Sequence, residues 1–177
     1  MAHVFLAKMT PSEQWDADMS VYQKRADNTL AHVAFVRSNY HGNEFQDTFI
    51  TFSGGEIIFS EQHDWLQPYY DSGFHDSRKN RNVASLIHFP GNKQYYLRGE
   101  DGLYPIVAQR DKNGKRKIVM YTPYESTAMG LQHRVFAQIT AAEHPWSYEI
   151  RLDTLPETEL LMAIFSLPQT ARYAKME

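Results

Sequence analysis

With 177 residues, 42% of them hydrophobic and 14% aromatic, the chain has the size and apolar content for a single domain over 1–177 built on one core. Charged residues at 22%, with only 9 Gly and 8 Pro, exclude disordered, collagen-like and low-complexity classes; the absence of Cys excludes disulfides, thiolate metal sites and a cysteine nucleophile. The formal net charge of −3 hides an asymmetry: residues 1–60 carry four Lys/Arg and seven Asp/Glu, residues 118–177 repeat those numbers, and residues 61–117 carry ten against seven.

Ala2–Met9 lacks the basic flank and length of a secretory leader, and no apolar run approaches the ~18 residues of a membrane span. Together with the missing Cys, this fits a cytoplasmic location. Val4–Met9 reads as a strand. Thr10-Pro11-Ser12-Glu13 then has the form of a capping box with Pro at the first helical position, and Trp15, Met19, Tyr22 and Ala26 follow at helical spacing. Thr29–Arg37, Asp47–Ser53 and Glu56–Ser60 alternate like strands, the last two joined by a hairpin signal at Gly54-Gly55. Glu61–Asn82 fits neither period and reads as a long irregular loop, its Trp65, Tyr69, Tyr70 and Phe74 arguing against disorder.

Val83–Phe89 and Lys93–Gly99 flank the turn Pro90-Gly91-Asn92, and Leu103–Arg110 and Lys115–Tyr121 flank Asp111-Lys112-Asn113-Gly114. Thr122-Pro123-Tyr124-Glu125 repeats the capping signal ahead of Ala128, Leu131, Val135, Ile139 and Ala142, which predicts a second helix. Trp146–Leu152 alternates as a strand. Pro156–Ser166 opens acidic, runs apolar through Leu160–Phe165 and predicts a third helix ending at Pro168. The expected fold is α+β: an antiparallel, curled or barrel-like sheet of about 7–9 strands with three helices packed on it.

The titratable residues concentrate in the middle of the chain. His63-Asp64 and His75-Asp76 precede Ser77, Arg78, Lys79, Arg81 and His88, and a second basic knot follows at Arg110, Lys112, Lys115, Arg116 and Lys117. Imidazole titrates near neutrality and moves protons, while Arg and Lys hold a phosphate; Trp65, Tyr69 and Tyr70 offer rings for stacking on exposed bases. The expectation is a phosphate-bearing ligand, nucleic acid or nucleotide, held by the 61–82 loop and the basic hairpin turn 110–117. The same arrangement would permit metal-independent phosphodiester cleavage with His75 or His63 as general base and Arg78, Lys79 or Arg81 holding the phosphate. No metal-ligand or cofactor motif stands out. The acidic flanks and aromatic content equally suit a non-enzymatic protein-interaction or inhibitory accessory protein, of the kind mobile elements carry, or a self-associating domain.

A third reading comes from likeness. Ser77-Arg78-Lys79, then Ala84–His88, then Lys93–Gly99, over about 25 residues, resembles the phosphate-contacting segment and following strands of flavin-binding split barrels. That resemblance implies a flavin phosphate gripped by Ser77, Arg78 and Lys79. The helix which that family places between these two segments has no counterpart in this sequence.

Overall fold

The computed structural model describes residues 2–11, 17–41, 45–52, 55–62, 70–76, 79–89 and 94–173. In chain order the strands are β1 His3–Thr10, β2 Ala17–Lys24, β3 Leu30–His41, β4 Phe45–Phe52, β5 Gly55–Gln62, β6 Tyr70–Asp76 and β7 Arg81–Phe89. They continue as β8 Gln94–Gly99, β9 Gly102–Arg110, β10 Arg116–Tyr121, β11 Glu125–Thr127, β12 Gly130–Gln132, β13 Val135–Ala141 and β14 Tyr148–Leu152, and helix α1 spans Thr158–Tyr173. Twelve of the strands close into one antiparallel barrel in the order β1-β14-β13-β10-β9-β8-β7-β6-β5-β4-β3-β2, while β11 and β12 form a separate two-stranded ribbon.

This corrects the α+β expectation of three helices on 7–9 strands: the protein is mostly β, with a single helix among the described residues. All nine expected strands are strands, but two expected helices are not helical. Ala17–Lys24 pairs with both β1 and β3, and there Met19 and Val21 are fully buried while Asp18, Ser20 and Tyr22 are half-buried, a period of two. The helix-like spacing of Trp15, Met19, Tyr22 and Ala26 is a coincidence. The second expected helix is ribbon plus strand: Gly130 turns the chain at φ 104, which a helix cannot accommodate, and the β-branched Val135, Ile139 and Thr140 lie in β13. The supposed irregular loop Glu61–Asn82 contains β6, paired on both sides.

The third expected helix exists, but it runs on through Pro168 to Tyr173 instead of ending at the proline, and it lies inside the barrel rather than on it. Every residue from Leu161 to Leu167 is at most 8% exposed, so the helix is covered on all sides. The buried cluster it belongs to draws on opposite walls: Phe5 and Ala7 of β1, Val36 of β3, Phe74 of β6 and Leu97 of β8. The Phe5 and Phe165 rings meet edge-on at 5.0 Å. A barrel of eight strands is filled by side chains alone, whereas twelve leave a lumen wide enough for a helix of about 10 Å diameter. The wall accommodates α1 with small residues: Ala7, Ala34, Ala84 and Ala137 are all buried. At the single buried hydroxyl of this stretch, Ser166 donates to the Ala163 carbonyl at 2.7 Å.

Consecutive antiparallel strands put successive connections at alternate mouths of the barrel. The helix enters where β14 ends, and a Cβ at Gly99 would lie 3.7 Å from Leu160 there. The β2–β3, β6–β7 and β8–β9 turns share this entry mouth; the β9–β10 and β13–β14 turns lie at the far mouth. The β2–β3 turn is fixed by Asp27, which accepts the backbone N–H and the hydroxyl of Thr29 at 3.0 and 2.6 Å, with Asn28 left-handed at φ 64. The Thr29 hydroxyl, foremost, holds the Asp27 carboxyl below the usual carboxylate range.

Candidate anion-binding mouth of the barrel

The β9–β10 turn is built by its only acid. The Asp111 carboxylate accepts the backbone N–H groups of Asn113 and Lys115 at 2.8 and 2.9 Å. The backbone closes the same turn: the Asp111 N–H donates to the Lys115 carbonyl at 2.8 Å and the Gly114 N–H to the Asp111 carbonyl at 2.9 Å. Gly114 has φ 76 with open space where a Cβ would stand, so its backbone angle, not crowding, requires glycine. Arg110 donates across the turn to the Gly114 carbonyl at 3.2 Å. With the one carboxylate committed to the backbone, Arg110, Lys112, Lys115 and Arg116 are exposed and Lys117 is half-buried. Five cations on one hairpin tip make a concentrated positive field on a protein that is acidic overall.

The entry mouth has the opposite character. Lys79 is paired with Glu159 of α1, and Arg81 with Glu100 at 3.5 Å. A cavity of about 180 Å³ there is bordered by Arg81, Glu100, Asp101, Glu157 and Glu159, with Tyr104 and Phe136 in its wall, their rings 5.4 Å apart. Burial, with Asp101 adding to it, raises the Tyr104 hydroxyl above its ordinary range. The hydrogen bond from Lys79 holds the Glu159 carboxyl below the usual carboxylate range. A carboxyl with a lowered folded pKa stabilises the fold above its unfolded pKa, and that contribution vanishes as pH falls through the folded value. Glu159→Gln is therefore expected to reduce stability at pH 7 by about 0.5 kcal/mol, small because the Lys79 side chain is nearly half exposed. Thermal melts should show the gap to the unsubstituted protein closing below about pH 4.5; a constant offset down to pH 3 would show that the pair contributes nothing.

The barrel divides the residues singled out in the sequence. Lys112, Lys115, Arg116 and Lys117 stand together at the far mouth. Tyr70 and His88 are register partners at the ends of β6 and β7 nearest that mouth. His63, Trp65 and Tyr69 lie outside the described residues, between Gln62 and Tyr70, which also stand at the far mouth. Ser77 and Arg78 lie outside the described residues too, while Lys79 and Arg81 are at the entry mouth, engaged with glutamates. His75 is half-buried, its Nδ1 3.1 Å from Asn82 Oδ1, five residues or about 17 Å along β6 from Tyr70. It is thus remote from the basic turn. The segments behind the flavin-barrel likeness are the adjacent strands β7 and β8.

The ribbon was invisible to helical-period reasoning. His133 packs between Tyr121 and Tyr124, ring centroids 4.4 and 4.6 Å away, and the ribbon displays Met129 at 87% and Leu131 at 72% exposure. Among the described residues no three His, Asp or Glu side chains group as a metal site, and no helix is long and apolar enough to cross a membrane. The chain matches no family model, no curated protein and no solved structure.

Proposed function

We propose that this protein binds a phosphate-bearing ligand, a nucleic acid or nucleotide, at the far mouth of its barrel, and that it does so without acting on it chemically. One observation carries the reading: in the β9–β10 turn the sole carboxylate is consumed by backbone N–H groups while Arg110, Lys112, Lys115 and Arg116 remain exposed around it. A binding role is preferred to cleavage because His75, the described imidazole of the pair singled out in the sequence, is at the wrong end of β6 to join these cations.

Anisotropy of a labelled single-stranded 20-mer, titrated at 50 to 300 mM salt, tests it. With three to five phosphates engaged, the logarithm of the affinity should fall against that of salt with a slope of about −2 to −3.5. Affinity indifferent to salt, or none at 50 mM, would remove the reading. A second reading, a protein-interaction module, is favoured by the ribbon, whose Met129 and Leu131 are exposed beside Tyr124. Association through that surface would respond little to salt.

A further inference from the structure

We propose that the far mouth also takes an amphiphilic anion, an alkyl or acyl phosphate in chemical class, whose apolar chain is buried between the barrel wall and α1. This rests on the anion-binding reading and adds a second contact to it. A cavity of about 180 Å³ opens beside the basic turn, room for roughly six water-sized groups. Its lining is mostly apolar, Thr140 adding a hydroxyl-bearing side chain. Ile118 and Ile139 are register partners on β10 and β13, Ala141 and Tyr148 are partners on β13 and β14, and Pro168 of α1 forms the opposing side. Arg116 also lines it, on the same face of β10 as Ile118 and two residues nearer the turn, so a guanidinium stands at the opening.

An apolar cavity offers water few hydrogen-bond partners, and a cation at its edge selects the charge of whatever enters. A simple phosphate would use the rim alone; a neutral alcohol would use the depth alone. An amphiphilic anion uses both. The cavity at the entry mouth, of like volume, is bordered by Glu100, Asp101 and Glu157 and disfavours the same ligand.

The test is calorimetric titration with decyl phosphate below its micellar concentration, against inorganic phosphate and decanol. Three to four buried methylenes should make decyl phosphate bind about a hundredfold more tightly than inorganic phosphate. Ala141→Trp, at an exposed position on the cavity edge, should abolish that advantage while leaving oligonucleotide affinity and its salt slope unchanged. Equal affinity for decyl phosphate and phosphate, equal affinity for decanol and decyl phosphate, or an Ala141→Trp protein that keeps the advantage would each overturn the inference. Salt-dependent oligonucleotide binding without an alkyl advantage sinks this inference alone, whereas loss of all anion binding sinks the reading beneath it as well.

Discussion

Phe165→Ala should lower the unfolding free energy by about 3–5 kcal/mol, the largest effect expected of any single truncation in the described core. Phe165 is fully buried at the middle of α1, meets Phe5 edge-on, and belongs to a cluster that draws on walls all around the barrel. Removing its ring leaves a void that the wall cannot close, because strands in a closed barrel are fixed by hydrogen bonds on both sides and cannot shift inward singly. Leu97→Ala, on the wall, should cost less, about 2–4 kcal/mol, since side chains of the helix can settle partly into the space. Chemical denaturation with both variants checks this. A loss under 1 kcal/mol at Phe165 would mean that the barrel does not clasp α1.

The second large effect concerns binding. Reversing Lys112, Lys115 and Lys117 together to Glu should weaken the single-stranded oligonucleotide by at least about a hundredfold at 50 mM salt and flatten the salt dependence, by about 0.7 in slope for each phosphate no longer engaged. Stability should change by no more than about 0.5 kcal/mol per site, because Lys112 and Lys115 are exposed and the turn is held by Asp111 and Gly114. Arg81→Ala, at the opposite mouth, should leave affinity unchanged. A triple variant that binds normally, or an Arg81→Ala protein that does not, would place the ligand elsewhere.

What was legible in the sequence was local. The turn Asp111–Gly114 could be read because its chemistry lies within five residues, and the strands around it because they alternate cleanly. Two helix signals misled because a Thr-Pro start and apolar residues four, three and four apart also occur in paired strands, where pairing partners far along the chain decide. β6 escaped notice since Asp71, Ser72, Gly73 and Asp76 give it no apolar alternation; only its neighbours β5 and β7 make it a strand. That omission mattered for the site. Three strands, β7 to β9, separate Lys79 and Arg81 from the basic turn and put them at the opposite mouth, whereas β6 adds a fourth that brings Gln62 and Tyr70 to the turn's own mouth. The position of α1 did carry a signal: Leu160 to Leu167 has no polar face, and such a helix has to be enclosed rather than laid on a surface.

Closure of the barrel joins β1 to β14, with Val4 opposite Arg151. No subset of earlier strands can complete the wall, and the chain that fills the centre follows β14. During synthesis the growing sheet therefore stays open, its apolar inner face and two free edges presented to other chains until the final segment emerges. High contact order of this kind implies maturation on the millisecond-to-second scale or slower, with exposure to aggregation until closure.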